Sequence, residues 1–253
     1  MTNFEVIVLG ASGTYPRPDG ACSGFLLRSG PTQVWVDAGP GTFSNLQKHT
    51  PYSELRALIL SHLHIDHITD LYAFYYALRY SSESKGPTGF EVYAPGKAED
   101  HLDKLVSTTG PDGFGGYFTF QPIKSGDELK MEAFLFRFQE TAHPIETMAM
   151  RVEAGRRSLV YTADTAPSEA VVELARGVDV LIAEATMQSP GTASRPVHMT
   201  AEEAGQMARD AGAKRLVLTH IAPTLDPAVS VEQAKIHFEG EVVAAEDHMR
   251  LEV

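Results

Sequence analysis

Short apolar runs recur along the chain, at residues 4–9, 33–37, 56–60, 90–94, 133–138, 158–162, 178–183, 215–219 and 241–245. They are rich in Val, Ile, Leu and Phe, and their lengths suit strands and are too short for buried helices. Helical patterns fill several of the intervals, near 68–80, 97–108, 168–176, 201–211 and 230–239. Two of these carry start signals. Thr200-Ala201-Glu202-Glu203 and Ser230-Val231-Glu232-Gln233 both fit a capping box, in which a hydroxyl caps the first turn and an acid or amide reaches back. From 117 to 162 the strands crowd together. Turn signals at Lys124-Ser125-Gly126-Asp127 and Glu153-Ala154-Gly155-Arg156 predict an antiparallel meander there. Strands and helices mix on both flanks, which predicts an α/β layered fold with mixed pairing rather than a regular βαβ array. A faint echo links the two ends: Leu58-Ile59-Leu60-Ser61-His62 and Val217-Leu218-Thr219-His220 are each an apolar strand ending in a hydroxyl and a His. No linker rich in Pro, Gly or Ser divides the chain, so one domain over residues 1–253 is expected.

Composition narrows the function. Lys and Arg number 21 against 33 Asp and Glu, giving a formal net charge of -12. That balance argues against a general nucleic-acid coat and against anionic membrane surfaces. A single Cys, Cys22, excludes an internal disulfide framework and a Cys-rich zinc finger. No apolar run approaches the roughly 20 residues that span a bilayer. The first ten residues read as a strand rather than a targeting segment, so a soluble cytoplasmic protein with no membrane partner is expected. The 10 His are unusually many for this length.

Their placement carries chemistry. His62-Leu63-His64-Ile65-Asp66-His67 puts three His and an Asp in six positions directly after a strand. Imidazoles and carboxylates ligate Zn, Mn and Fe. On an extended segment His62 and His64 point to one side and can clasp one ion. Asp66 and His67, at the turn into the next helix, can serve a second. Further ligands must come from a distance. His143, Asp164 and His220 each follow an apolar strand, where loops gather ligands above a rigid sheet.

These residues, in this order, resemble the metallo-β-lactamase superfamily. Ala163-Asp164-Thr165, the run Leu174 to Thr186 with its Glu184-Ala185-Thr186, His198-Met199-Thr200 and the opening Leu9-Gly10-Ala11-Ser12-Gly13-Thr14 resemble its ribonuclease Z-like phosphodiesterase branch. The resemblance covers nearly the whole chain. It implies an αββα sandwich of two mixed sheets flanked by helices. It implies one metal on His62, His64 and His143, another on Asp66, His67 and His220, and Asp164 as the bridge. Zinc is the first expectation, with Mn or Fe as alternatives. His198 would be the catalytic acid, Glu184 its orienting partner, and Asp66 both a ligand and a guide for the attacking hydroxide. A homodimer is a further implication.

Two divalent ions a few ångströms apart would generate that hydroxide near neutral pH and neutralise the phosphate oxygens. Ribonuclease Z proteins carry an arm that grips transfer RNA between the third-motif His and the bridging Asp. Here His143 and Asp164 are 21 positions apart, filled by one hairpin. The chain is similar to arm-less actinobacterial cyclic nucleotide phosphodiesterases in this respect. A small anionic phosphodiester such as cAMP is therefore the expected substrate, and RNA is disfavoured. A transfer-RNA 3′-processing endonuclease and a lactone or ester hydrolase on the same metals are the alternatives. Segment 110–118, glycine-rich with aromatics, is either a lid or a packed loop. The stripe Tyr72, Phe74, Tyr75, Tyr76 and Tyr80 reads as core or dimer contact. His49, His101, His237 and His248 read as surface or structural residues.

Overall fold

Strands whose two faces are both covered read as unbroken apolar runs. The computed structural model, which describes residues 4–82, 84–107, 113–190 and 197–253, shows why that pattern dominates here. The first sheet contains β1 (Phe4–Gly10), β2 (Gly24–Ser29), β3 (Thr32–Val36), β4 (Ala57–Ile59), β5 (Phe90–Pro95) and β6 (Phe118–Ile123). The second contains β7 (Glu128–Met131), β8 (Phe134–Glu140), β9 (Met148–Ala154), β10 (Arg157–Tyr161), β11 (Val180–Glu184), β12 (Arg215–Thr219) and β13 (Glu241–Ala244). The last strand, β14 (Arg250–Glu252), returns to the first sheet beside β1. The strand orders are β14-β1-β2-β3-β4-β5-β6 and β13-β12-β11-β10-β9-β8-β7, seven strands each.

Alternate side chains divide between layers. Val6, Val8, Phe25, Val34 and Val36 meet Phe134, Phe136, Phe138, Met150 and Ile182 between the sheets. Ile7, Leu9, Leu26 and Trp35 face outward, under α1 (Thr42–Leu46), α3 (Asp70–Tyr80) and α4 (Ala98–Ser107). Val160, Leu181, Leu216 and Leu218 face α5 (Glu169–Leu174), α6 (Ala201–Ala211) and α7 (Pro227–Ala234). A short helix, α2 (Ile65–Ile68), precedes α3. The architecture is the expected αββα sandwich of two mixed sheets. Among the described residues, no helix is long and apolar enough to cross a membrane.

Direction matters more than layer count. β1, β3 and β4 run in one direction within their sheet, and β8, β10, β11 and β12 do so within theirs. The carboxyl ends of β1, β3 and β4 in one sheet and of β8, β10, β11 and β12 in the other therefore open onto one edge of the sandwich, and β5, β6 and β13 run parallel to them. The echo between the Leu58–His62 and Val217–His220 segments becomes physical: β4 and β12 deliver equivalent residues from opposite sheets.

Some details differ from the sequence expectations. The meander holds for β7 to β10, but β6 leaves it to pair in parallel with β5. Ser230 does not cap a helix. Asp226 caps α7, accepting from Ala228 N at 2.9 Å, and Pro227 opens it. A caps-then-proline start outcompetes one placed a turn later, because Pro at the first helical position forfeits no hydrogen bond. Ser230 is instead buried and accepts from Gln188 Nε2 at 3.0 Å. Of segment 110–118, Gly110, Pro111 and Asp112 lie outside the described residues. Phe114 is buried against Tyr72 and Tyr75, and Tyr75 donates to Gly113 O at 2.8 Å, so Gly113, Phe114 and Phe118 are packed while Gly115 and Gly116 are exposed. Within the aromatic stripe Phe74 and Tyr75 are buried, Tyr72 is half-buried, and Tyr76 and Tyr80 are exposed.

The capping box at Thr200 is present on both sides: Thr200 Oγ1 accepts from Glu203 N at 3.2 Å, and Glu203 Oε2 accepts from Thr200 N at 2.8 Å. Replacing Thr200 with Ala should cost about 1 kcal/mol of folding stability. A urea titration should show the midpoint falling with an unchanged slope. An unmoved midpoint would mean that tertiary packing alone holds this end of α6.

Candidate metal centre

Four strand ends build the site. β4 leads into Ser61 and His62, and the chain then turns through His64 into α2, which carries Asp66 and His67. β8 leads to His143, β10 to Asp164 and β12 to His220. Several backbones here sit in the left-handed region that non-glycine residues avoid: Thr14 (φ 67°), Asp37 (φ 56°), Ala163 (φ 51°) and His220 (φ 54°). Such strain concentrates where structure must aim a side chain.

The structure brings all seven sequence-derived candidates together in two groups. In the first, His62 Nε2 and His143 Nε2 lie 3.1 Å and 3.2 Å from His64 Nδ1. Asp164 Oδ2 is 3.6 Å from His62 Nε2. In the second, Asp66 Oδ2 is 3.1 Å from His220 Nε2 and 3.8 Å from His67 Nε2. Asp164 Oδ1 is 3.4 Å from His67 Nε2 and 3.5 Å from His220 Nε2. Donors about 2.1 Å from a tetrahedral ion stand about 3.4 Å apart, so both groups have the spacing of a ligand shell. The two oxygens of Asp164 face different groups.

Outer partners fix which nitrogen each imidazole presents. Asp37 Oδ2 accepts from His67 Nδ1 at 2.8 Å, from Ser61 Oγ at 2.8 Å and from Tyr161 OH at 3.0 Å, while Oδ1 accepts from Ser61 N at 2.7 Å. With its proton given to Asp37, Ser61 Oγ accepts from His62 Nδ1 at 3.0 Å. Thr186 Oγ1 donates to Glu184 Oε2 at 2.5 Å and accepts from His220 Nδ1 at 2.8 Å. Val197 O accepts from His143 Nδ1 at 2.9 Å. Each contact protonates the far nitrogen and turns the Nε2 lone pair of His62, His67, His143 and His220 inward, as partners of metal-ligating imidazoles do.

Electrostatics agree with that assignment. Burial pushes His62, His64 and His143 below the usual histidine range, which favours the neutral, ligating form. Burial also opposes charging His67, but the carboxylates of Asp164 and Asp37 outweigh it and hold His67 well above that range. The second group thus attracts positive charge. His67 Nε2 and Asp164 Oδ1 are buried and make no hydrogen bond of acceptable geometry among the described residues. Orphaned buried polar atoms are costly, and a cation between them would satisfy both. Cys22 is no competitor as a ligand. Burial, with Asp66 nearby, pushes its thiol up to about 12.

His198 is beside this centre, with its ring centroid 5.2 Å from that of His143 and 5.5 Å from that of His220. Its Nδ1 donates to Glu184 Oε1 at 2.9 Å. Glu184 is fully buried and also accepts from Thr165 N at 2.7 Å and Met199 N at 3.2 Å. Burial lowers the affinity of His198 for a proton, and Glu184 more than restores it, so its pKa lies above the ordinary value.

The Gly10–Thr14 loop closes one side. Thr14 N donates to Asp66 Oδ2 at 2.9 Å, and Gly13 N donates to Ile221 O at 3.1 Å. A Cβ on Gly13 would lie 2.4 Å from His220 O, so only glycine fits there.

Sequence reasoning missed Asp37, Ser61, Thr186 and Val197. Asp37 carried a usable signal: Val34-Trp35-Val36-Asp37 is an apolar strand ending in a ligand-type residue, as at Asp164 and His220. Of the other histidines, His49 pairs with His248 at 2.9 Å and His237 with Glu202 at 3.0 Å, all away from the clusters, and His101 is exposed on α4.

Known proteins resemble this chain in sequence and fold. The model of the family described as "Beta-lactamase superfamily domain" matches residues 32–221. The probable metallo-hydrolase YhfI of Bacillus subtilis (strain 168) is 32% identical over 245 residues, covering 94% of this chain and 96% of its own. The crystal structure of YhfI superposes with a TM-score of 0.89 at 29% identity over 100% of both chains. A ribonuclease Z of Archaeoglobus fulgidus is 28% identical over a span of 305 positions, covering 99% of this chain and 98% of its own. That span exceeds the 253 residues here, so the relative carries segments without a counterpart in this chain. The short form of human tRNase Z shares the fold, with a TM-score of 0.78 at 23% identity over 98% of both chains.

Proposed function

This chain belongs to the beta-lactamase superfamily as a metallo-hydrolase related to ribonuclease Z, and from that premise we propose that it is a dinuclear phosphodiesterase for a small anionic substrate, a cyclic nucleotide such as cAMP first among them. The observation that carries the dinuclear reading is the split of Asp164, one oxygen toward each nitrogen group. His62, His64 and His143 would hold one ion, Asp66, His67 and His220 the other, with residues 1–253 acting as one hydrolase domain. A donor set of five imidazoles and two carboxylates suits zinc first, with Mn and Fe as alternatives.

Bound divalent ions would supply charge neutralisation at the phosphoryl oxygens and an acidified water at neutral pH. The remaining chemistry belongs to the chain. Asp66, fixed by the Thr14 amide, orients the attacking water. Glu184 holds His198 by Nδ1, leaving Nε2 to carry a proton toward the leaving alkoxide. The raised proton affinity of His198 suits that role.

Substrate size is argued from what stands between His143 and Asp164. β9 and β10 are joined by a two-residue turn at Gly155 and Arg156, with Gly155 in the left-handed region. The hairpin leaves no length for an RNA-gripping arm, in keeping with the extra segments of the ribonuclease Z relative. The net charge of -12 would also repel a polyanion away from the centre.

A side-by-side assay decides the matter. The zinc-supplied protein should hydrolyse cAMP and leave a transfer-RNA precursor intact. Cleavage of the precursor without turnover of any cyclic nucleotide would sink the small-substrate reading in favour of the endonuclease. Rapid lactone or ester hydrolysis with neither phosphodiester cleaved would leave the second alternative.

A further inference from the structure

Eight large apolar side chains stand exposed among the described residues, and four of them lie within two chain positions of a candidate ligand or of a residue bonded to one. Ile65, 75% exposed, lies between His64 and Asp66. Tyr15, 50% exposed, follows Thr14, whose amide binds Asp66. Ile145 lies two residues after His143, and Val197 directly precedes His198 while its carbonyl holds His143. Single exposed apolar residues are ordinary, but a set supplied by four separate segments that flank one site is not. All four keep a third or more of their surface exposed and belong to none of the three core clusters, so core packing does not explain them.

Depth gives the set its meaning. His62, His67, Asp164 and His220 are buried, whereas the four apolar residues, their near neighbours along the chain or through Thr14 and His143, reach the exposed edge of the site. A ligand that places a phosphate on the buried residues must lay its remaining atoms across that edge. The backbone that carries Tyr15 is fixed: Gly13 N donates to Ile221 O at 3.1 Å, Tyr15 N donates to Gly13 O at 2.7 Å, and Thr14 between them is left-handed.

We propose that Tyr15, Ile65, Ile145 and Val197 form an apolar rim that binds the flat, uncharged base of a nucleotide and so sets substrate specificity, with Tyr15 as the stacking face. The proposal rests on the phosphodiesterase reading only for where the phosphate sits. Base–aromatic stacking of this kind changes affinity by about tenfold or more.

Calorimetric titration of the zinc-supplied protein with AMP and with ribose 5-phosphate isolates the base, since the two share sugar and phosphate. AMP should bind about tenfold more tightly. Tyr15→Ala should bring the two affinities together, Tyr15→Phe should keep them apart, and Ile65→Ala should narrow the gap. Tyr15 is half exposed, so folding is not at stake, and size-exclusion chromatography run in parallel reports on assembly. Equal binding of the two ligands by the unmodified protein, binding of neither, or a gap that Tyr15→Ala leaves unchanged overturns the proposal. So does a rim variant that alters oligomeric state and not affinity, which would make the rim an interface between copies. A preference for AMP without hydrolysis of any phosphodiester keeps the rim and rejects the proposed activity. Hydrolysis without that preference does the reverse.

Discussion

Asp164→Asn should strip the protein of most of its metal and activity together. Asp164 is 2% exposed and is the one carboxylate whose two oxygens face both nitrogen groups. Burial alone would favour its neutral form, yet His220, His67 and His62 hold its pKa well below the usual carboxylate range. The amide keeps the shape, removes the charge, and turns two donor hydrogens toward nitrogens that need an anion or a cation opposite them. Metal content should fall from about two ions per chain to one or fewer. Loss of an outer partner of a metal ligand costs roughly 10- to 100-fold, and loss of a shared inner carboxylate should exceed that in kcat/KM. Elemental analysis after gel filtration, with a thermal melt with and without added zinc, reads the outcome. Ligand linkage predicts that zinc raises Tm in the unmodified protein and much less in the variant. Asp37→Asn is the comparison, since Asp37 reaches the centre only through His67 and Ser61. It should fall within the outer-partner range and retain measurable metal. Two firmly held ions in Asp164→Asn would reject the bridging assignment.

The candidate ligands were legible in the sequence for a physical reason. His62, His143, Asp164 and His220 are polar, metal-competent residues just past an apolar strand, and His64, Asp66 and His67 follow His62 in the turn into α2. Local rules also placed α6, because a hydroxyl cap and its Glu are adjacent in sequence. What holds the ligands was less legible. Asp37, 30 positions from His67 and 124 from Tyr161, joins them only because β3, β4 and β10 end at one edge. The tautomer of His220 depends on Thr186, 34 positions earlier, and that of His143 on a carbonyl 54 positions later. No spacing rule contains those pairings. The Thr186–His220 pairing follows from the parallel register of β11 and β12, which aligns Glu184 opposite Thr219. Ser230 shows the opposite failure. Its local signal was real, but a stronger start lay one turn earlier. The acidic composition also changes meaning with the site in view. Two divalent ions facing two carboxylates, as proposed, would leave a small cationic spot in an anionic surface, which would admit one phosphate and repel many.

His198→Ala should separate proton donation from metal binding. His198 belongs to neither nitrogen group, and its Nδ1 is 3.9 Å from Asp164 Oδ2, with Glu184 the nearer partner at 2.9 Å. Metal content should therefore stay near that of the unmodified protein. Its contribution as a general acid should be on the order of 10²- to 10⁴-fold, and it should depend on the leaving group. The ribose alkoxide of a cyclic nucleotide is strongly basic and needs a proton as the P–O bond breaks. p-Nitrophenolate is a stable anion near neutral pH and needs none. The loss should thus be large on cAMP and small on bis-p-nitrophenyl phosphate. Glu184→Gln acts one step back. It keeps a partner for His198 Nδ1 but removes the charge that raises its proton affinity, so it should show the same leaving-group pattern in weaker form. If His198→Ala slowed both substrates equally, with metal retained, the imidazole would be orienting the phosphate rather than delivering a proton. If it slowed both while metal was lost, His198 would belong to the third possible donor group, with Asp164 and His220. Kinetics on two leaving groups and a metal assay, taken on one variant, distinguish the three cases.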